Sequence, residues 1–232
     1  MKLTDIFFPP RCAGCDTITE DAFPVCKACN ELRIRPFNSK NRCDTCFLSV
    51  RDCICTKRQY FSKLSVCFFY DGPPKRTVFR MKFRARPDIA KAYAKLIYLS
   101  LQERELTDSI DAVTFVPMGR YRKFKRGYNQ SELLARHIAR LCNKPCIPFL
   151  IKESTASVQH DTKKIFRKGN LLGIYEPDKK YEAEIKGKRI LVADDVTTTY
   201  STFNEIAKTL LIFGADEVYA AACTATKKSK KY

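Results

Sequence analysis

The stretch "ILVADDVTTTYSTF", residues 190–203, decides the fold of this chain. It opens with an apolar run typical of a buried strand and then changes abruptly to two adjacent acids, Asp194 and Asp195. Hydroxyl side chains follow, and an amphipathic segment typical of a helix begins at Ser201. In an open parallel sheet, ligands bind at the carboxyl ends of the strands. The stretch therefore predicts a strand, a turn and a helix, with a binding site at the turn.

Short apolar runs alternate with amphipathic stretches over the rest of the chain, from about residue 64 onward. The pattern predicts strands at 64–70, 112–117, 147–151, 189–194 and 217–226, and helices at 86–106, 131–142 and 201–215. In the first of these helices one face is apolar (Ile89, Tyr93, Leu96, Ile97), and Ser131 is the expected cap of the second. The alternation predicts an α/β fold, a parallel sheet flanked by helices.

Eight of the twelve cysteines lie in the first 55 residues and form close pairs: Cys12 and Cys15, Cys26 and Cys29, Cys43 and Cys46, Cys53 and Cys55. A gap of two residues lets two thiolates on one tight turn converge on a metal ion, and two such turns complete a four-thiolate zinc site. The last pair has a one-residue gap, so the second site is the looser pattern. We therefore predict a double zinc ribbon in residues 1–58, with one to two structural Zn²⁺ ions, ahead of a sheet domain in residues 59–232. Crossed pairing between the two sites and a disulfide framework are the alternatives.

The chain is strongly basic, with 43 Lys and Arg against 25 Asp and Glu and a formal net charge of +18. Such a balance favours an anionic partner, which could be nucleic acid, a membrane surface or a phosphorylated ligand. The sequence contains no apolar run of about 20 residues that could cross a bilayer. Its start, "MKLTDIFFPPRC", is not typical of a secretory signal. A cytoplasmic location is expected, and disulfides rarely persist there.

One basic segment, "GRYRKFKRGYNQ" (119–130), alternates cations with aromatic residues and follows a predicted strand. It is read as a loop on the same edge of the sheet as the acid pair. Its cations could hold a pyrophosphate, or its cations and aromatics together could bind single-stranded DNA. The nucleic-acid-binding candidates are Arg120, Arg122, Lys123, Lys125, Arg126 and Tyr128, with Tyr121 and Phe124 between them. A second basic cluster comprises Lys163, Lys164, Arg167 and Lys168.

The turn after the acid pair is rich in hydroxyl groups: Thr197, Thr198, Thr199, Ser201 and Thr202. The unpaired N–H groups and the positive dipole end of the following helix make an anion site, and the hydroxyls add donors around it. Two carboxylates beside such a cradle can hold sugar hydroxyls, or a Mg²⁺ ion that bridges to a pyrophosphate. This pattern predicts a site for a phosphorylated sugar. A capped helix after a core strand is the simpler alternative.

The motif "ILVADDVTTTYST" resembles the 5-phosphoribosyl-1-pyrophosphate (PRPP) motif of type I phosphoribosyltransferases. The whole chain resembles the ComF family of competence proteins, through "DIFFPPRCAGC", "VPMGRYRKFKRGYNQSELLA" and "QHDTKKIFRKGN", which holds Gln159, Arg167 and Asn170. The resemblance implies a zinc ribbon before a phosphoribosyltransferase-like domain, with PRPP and Mg²⁺ as ligands. It also implies work on single-stranded DNA in natural transformation, alongside competence helicase or recombination proteins.

Carried over by position, the resemblance places the acid pair against the ribose hydroxyls and the next residues around the 5′-phosphate. The implied PRPP-binding residues are Asp194, Asp195, Val196, Thr197, Thr198, Thr199, Tyr200, Ser201 and Thr202, and the implied catalytic residues are Asp194, Asp195 and Arg167. The family has glycine where this chain has Tyr200, and a tyrosine at positive φ is strained. Either its ring turns outward in a tolerated conformation, or phosphate binding is weakened. Two hypotheses follow: a PRPP-binding protein that handles DNA, and an active phosphoribosyltransferase with an unidentified acceptor.

Overall fold

The structure is a computed structural model of the 232-residue chain. It describes residues 9–19, 24–34, 59–152 and 174–226, together with 43, 45, 46, 48, 49, 53 and 55. The predictions made for Gln159, Arg167, Asn170 and the basic cluster of residues 163–168 lie outside these ranges. The helices are α1 (Lys27–Glu31), α2 (Gly72–Phe83), α3 (Asp88–Glu103), α4 (Arg120–Arg126), α5 (Gln130–Cys142) and α6 (Ser201–Ile212). The strands are β1 (Lys63–Phe69), β2 (Ala112–Phe115), β3 (Leu150–Lys152), β4 (Tyr175–Pro177), β5 (Arg189–Thr197) and β6 (Glu217–Ala225).

A four-stranded parallel sheet, in the order β1-β6-β5-β2, forms the centre of the fold. Strand β5 pairs with β6 on one side and with β2 on the other, so its end lies in the middle of the carboxyl edge. Successive side chains of a strand point to opposite faces. Accordingly, Leu191 and Ala193 face a core shared with α2, α3 and α5, whereas Ile190 and Val192 face a core shared with α6. The predicted fold class, a parallel sheet flanked by helices, is confirmed.

Several local predictions need correction. The segment read as a basic loop contains helix α4, which ends at Gly127 with a left-handed φ of 77°. Helix α5 is capped by Asn129, whose Oδ1 accepts the Ser131 N–H at 3.1 Å, so the predicted cap at Ser131 is wrong. The strand predicted at 147–151 is the short β3, which pairs antiparallel with β4 outside the main sheet. Helix α2 was not predicted, because its start at "GPP" resembles a turn.

The cysteine-rich segment packs on the sheet and is tied to it by backbone hydrogen bonds. The Ile34 N–H donates to the Cys67 carbonyl at 2.8 Å, and the Leu64 N–H donates to the Thr45 carbonyl at 2.7 Å. Cys12 lies in the core beside α2 and α3, whereas Cys46 lies in the core beside α6. The two cysteine groups therefore sit on opposite faces of the sheet. The boundary at residue 58 stays a prediction.

Helices long and apolar enough to cross a bilayer are absent from the part of the chain described above.

Candidate ligand site and metal centres

The acid pair lies at the carboxyl end of β5, where three helices converge on it. Asp194 Oδ1 accepts a hydrogen bond from Ser131 Oγ of α5 at 2.7 Å and from the Asp195 N–H at 2.8 Å. Asp195 is buried, and its Oδ1 lies 2.8 Å from Lys82 Nζ of α2. Helix α6 begins just beyond. Each carboxylate is thus held in place by a side chain from a different helix, which leaves the pair organised before any ligand binds.

The two carboxylates differ in their electrostatic environment. Burial and the neighbouring charge of Asp195 raise the pKa of Asp194 to about 7, against the opposing effects of the Ser131 hydrogen bond and Lys82. At neutral pH Asp194 is therefore poised between the acid and the carboxylate. A cation or a set of hydroxyl donors placed beside it would favour the ionised form.

Tyr128 and Asn129, which lie between α4 and α5, fix the start of α5 so that Ser131 reaches Asp194. Asn129 Nδ2 donates to the carbonyl of Val116, just after β2, at 3.0 Å, while its Oδ1 caps α5. The Tyr128 hydroxyl donates to the Met81 carbonyl of α2 at 2.6 Å. These bonds join β2, α2 and α5 at the site. The assignment of Tyr128 to nucleic-acid binding stays a prediction, and its hydroxyl already has this structural partner.

The hydroxyl-rich turn presents several donors to solvent. Thr197 is the buried last residue of β5, whereas Thr198, Thr199 and Ser201 are exposed. Thr199 Oγ1 and Ser201 Oγ lie 2.9 Å apart. The side chain of the capping residue, Tyr200, makes no hydrogen bond to the first N–H groups of the 12-residue helix α6. Exposed hydroxyls and helix N–H groups at one place can hold an anion such as a phosphate.

Tyr200 has the left-handed backbone conformation expected for the glycine that the related motif has at this position, with φ 62° and ψ 3°. Its ring does not turn outward: it is 1% exposed and packs edge-on against Phe61, with ring centroids 6.0 Å apart. Of the two alternatives drawn from the sequence, the one in which the ring turns outward is therefore wrong. The ring belongs to the same core as Cys46, and its buried hydroxyl has no hydrogen-bond partner among the described residues. It anchors the turn from the core side and leaves the solvent side to the hydroxyl residues.

Eight cysteines gather into the two groups that the sequence predicted. The Sγ atoms of each group lie within 4.8 Å of one another, and the groups are Cys12, Cys15, Cys26 and Cys29, and Cys43, Cys46, Cys53 and Cys55. The Sγ atoms of Cys15 and Cys26 lie 3.8 Å apart, and those of Cys46 and Cys53 lie 3.7 Å apart. Thiolates bound tetrahedrally at about 2.3 Å from one ion would be about 3.8 Å apart, far beyond the disulfide length of about 2.05 Å. All twelve cysteines are free. The spacing fits two metal sites and not a disulfide framework.

Local backbone features support each metal site. In the first, a Cβ added at Gly14 would lie 2.7 Å from Cys29 Sγ, so only glycine lets the thiols approach. The Cys26 N–H there donates to Cys12 Sγ at 3.3 Å. In the second, the Cys55 N–H donates to Cys53 Sγ at 3.3 Å, and N–H donors of this kind favour the thiolate. The thiolate is the form that binds metal.

Helix α4 carries the predicted nucleic-acid-binding residues on a highly exposed surface. Tyr121 is 76% exposed and Phe124 is 89% exposed, although both are large apolar rings. Lys123 Nζ lies 3.4 Å from Glu132, and Arg126 donates to Gln130 Oε1 at 3.1 Å. The remaining cations of the helix have no ion-pair partner within the described ranges: Arg120, Arg122 and Lys125.

Two residues of the acid site, Lys82 and Ser131, were not predicted from the sequence. Lys82 belongs to a basic run, and nothing in its local pattern separates it from the neighbouring cations. Ser131 was read as a helix cap, whereas its hydroxyl holds Asp194. A hydroxyl residue two positions after a capping Asn, in the first turn of a helix that faces a strand end, is the signal that could have identified it.

Fold and site together define a parallel α/β protein with a polar ligand site at the carboxyl edge of its sheet and two four-cysteine centres packed beside it. The chain is similar to Competence protein F of Haemophilus influenzae, at 27% identity over 213 residues that cover 89% of this chain and 86% of that protein. It is similar to DNA utilization protein YhgH of Escherichia coli strain K12, at 27% identity over 211 residues with the same coverage of 89% and 86%. These homologues confirm the resemblance drawn from the sequence. A scan against protein-family models finds no match.

Among solved structures, the chain aligns with the glutamine phosphoribosylpyrophosphate amidotransferase of B. subtilis complexed with ADP and GMP. The TM-score is 0.45 and the identity is 21%, over 62% of this chain and 30% of that one.

Proposed function

We propose that this chain binds PRPP with Mg²⁺ at the carboxyl edge of its sheet and handles single-stranded DNA in the cytoplasm during natural transformation. One observation carries the ligand assignment: an organised carboxylate pair at the end of β5 stands directly before an exposed hydroxyl-rich turn at the start of α6. The names of the two relatives, which refer to competence and to DNA utilization, support the DNA assignment. Competence helicase or recombination proteins are proposed partners on the resemblance alone.

In this proposal, Asp194 and Asp195 accept hydrogen bonds from the ribose hydroxyls. The turn from Thr198 to Thr202 and the first N–H groups of α6 hold the 5′-phosphate. Mg²⁺ would bind chiefly to the pyrophosphate oxygens, as is usual for a hard cation with a phosphorylated ligand. Lys82 balances the charge of the acid pair.

The test is calorimetric titration of the protein with PRPP and Mg²⁺. Replacing both Asp194 and Asp195 with alanine is expected to abolish binding. The matched control replaces Asp108 and Asp216, two exposed acids that precede β2 and β6 at the opposite edge of the sheet, and should bind normally. Equal affinity in the wild type and the Asp194/Asp195 variant would remove these residues from the site.

We propose Zn²⁺ as the metal of the two cysteine groups, with one to two ions per chain. Four thiolates at this spacing suit tetrahedral zinc, and no coordination position is left open for catalysis. The role is then structural: each ion fixes the N-terminal segment against one face of the sheet. Elemental analysis of protein purified without added metal tests this, and less than about half an equivalent of zinc would contradict it.

Binding to single-stranded DNA is proposed to centre on α4. Affinity should fall with salt, with a log–log slope of about −0.7 per phosphate neutralised on a single strand. Replacing Arg122, Lys123 and Lys125 with alanine should flatten this slope by up to about two units. Replacing Tyr121 and Phe124 should instead weaken binding with little change of slope, because stacking is worth roughly 1–3 kcal/mol per base.

An active phosphoribosyltransferase is the second candidate, and the conformation of Tyr200 favours it. Its backbone takes a glycine-like φ of 62°, and its ring lies in the core, so the solvent side of the turn stays open to a phosphate. In this reaction the bond between C1 and pyrophosphate breaks while an acceptor nucleophile bonds to C1, and the acceptor loses its proton. The catalytic role of Arg167 stays a prediction. Release of pyrophosphate only when an acceptor base is added would support this candidate, and PRPP recovered intact with every base tried would leave binding alone.

A further inference from the structure

Helix α2 exposes two aromatic rings side by side. Phe79 is 48% exposed and Phe83 is 55% exposed, and their ring centroids lie 4.8 Å apart with the planes tilted by 43°. Residues four apart share one face of a helix, so the two rings form one continuous apolar surface. Single exposed apolar residues are common, but an exposed aromatic pair is typical of a contact surface.

A cationic groove of about 1060 Å³ opens between α2 and the loop of the first cysteine group, and Phe79 lines it. Six cations line the same groove: Arg11, Lys75, Arg76, Arg80, Arg84 and Arg86. The lining includes one carboxylate, Asp16. A concave surface with this excess of positive charge attracts a polyanion.

Only part of this charge is neutralised within the protein. Asp16 is buried and pairs with Arg80 at 2.7 Å and with Arg86 at 2.9 Å, which fixes the cysteine loop on α2. Arg76 and Arg84 are exposed, and no carboxylate of the described residues pairs with either. They flank the aromatic pair along the helix. Phosphates could therefore be held beside the exposed rings.

The α2 surface, meaning Phe79, Phe83 and the cationic groove, continues into α4. The Arg126 guanidinium, at the end of α4, lies 4.7 Å from the centroid of the Phe83 ring. This contact is the point at which α4, with its exposed Tyr121 and Phe124, meets the α2 surface. Alternating stacking surfaces and cations are the pattern by which proteins bind single strands irrespective of sequence.

We propose that the α2 surface is the second part of a single-stranded nucleic-acid path that begins on α4. Bases stack on Phe79 and Phe83, and the phosphates pass Arg76 and Arg84 into the groove beside the first cysteine group. The proposal rests on the DNA-handling function proposed above and extends it from one helix to a defined route. An acidic protein segment is the competing occupant of such a groove.

The experiment measures the fluorescence anisotropy of a labelled oligothymidylate of about 20 nucleotides with the full-length, metal-loaded protein. Replacing Phe79 and Phe83 with alanine should weaken binding by at least about tenfold with little change of salt slope. Replacing Arg76 and Arg84 with alanine should flatten the log–log salt slope by about one unit or slightly more. Two controls are matched in type: Leu141 with Ile212 for exposed apolar residues, and Lys91 with Arg140 for exposed cations on α3 and α5. Both controls should bind as the wild type does.

A second readout protects the test against misfolded variants. Wild-type protein is photocrosslinked to an oligonucleotide that carries 5-iododeoxyuridine, and crosslinks are expected on the peptide of residues 76–84. If the α4 variants lose DNA binding while both α2 variants bind normally and no crosslink falls on this peptide, the inference is overturned and the proposed function stands. If the wild type binds no oligonucleotide, the DNA-handling function itself fails, and the α2 path fails with it. If the Arg76 and Arg84 replacements weaken the binding of polyglutamate but not of DNA, the groove holds an acidic protein segment and the path is contradicted.

Discussion

The clearest prediction from the site concerns replacement of Tyr200 by glycine. Glycine would restore the residue that the resemblance leads one to expect, and it would relieve a left-handed conformation that costs a non-glycine residue roughly 1–2 kcal/mol. The structure predicts that the protein nevertheless becomes less stable. The ring is 1% exposed and fills the core between Phe61 and the second cysteine group, and truncating a buried aromatic side chain costs about 3–5 kcal/mol.

The net loss expected for Tyr200→Gly is therefore about 1–4 kcal/mol in the free energy of unfolding. Replacement by phenylalanine is the matched control, because it keeps the ring and removes only a buried hydroxyl that has no partner among the described residues. That variant should be as stable as the wild type or slightly more stable. Urea unfolding followed by circular dichroism measures both.

The same variants report on ligand binding. Since the ring already lies on the core side of the turn, glycine should not tighten PRPP binding and should weaken it by loosening the anchor. A glycine variant that matches the wild type in stability, or that binds PRPP more tightly, would show that the ring does not hold the turn from the core.

Further predictions concern the metal centre and the acid pair. Gly14→Ala should lose the metal of the first cysteine group, because a Cβ there would lie 2.7 Å from Cys29 Sγ, whereas Gly119→Ala, with no atom within 4 Å, should keep its metal content. Because the pKa of Asp194 is raised to about 7 and a sugar or Mg²⁺ favours the carboxylate, PRPP affinity should rise with pH to about 7 and level off above it. An affinity in Asp194→Asn that varied with pH as strongly as in the wild type would contradict this assignment. Lys82→Met should shift the midpoint of that profile to higher pH, since the Lys82 charge lowers the pKa of Asp194, and an unchanged midpoint would mean that the ion pair is not maintained in solution.

The sequence predicted the central strands well because they are buried on both faces and appear as continuous apolar runs. Strand β5 extends three residues beyond the predicted end, since Val196 and Thr197 continue the pairing with β6. The cysteine groups were predictable because a metal site imposes a short and regular spacing. Helix α4 was taken for a loop because every residue in it is either cationic or aromatic and none is buried, so it has no apolar face to reveal its period.

The ligand site was predictable only where it is local in sequence. The acid pair and the turn lie within nine residues, from Asp194 to Thr202, so one motif reveals them. Lys82 and Ser131 reach the pair from distant helices, and only the packing of α2 and α5 on the sheet brings them there. The burial of the Tyr200 ring likewise depends on Phe61 and on the second cysteine group, which no local pattern relates to the turn.

A crystal structure of the protein with PRPP and Mg²⁺ would show whether the acid pair and the turn hold the ligand. We expect the ribose against Asp194 and Asp195, and the 5′-phosphate at the start of α6 within hydrogen-bond distance of the exposed hydroxyls of Thr199 and Ser201. PRPP bound only among the arginines of the groove on α2, with the acid pair still engaged by Ser131 and Lys82 alone, would mean that the carboxyl edge of the sheet is not the PRPP site.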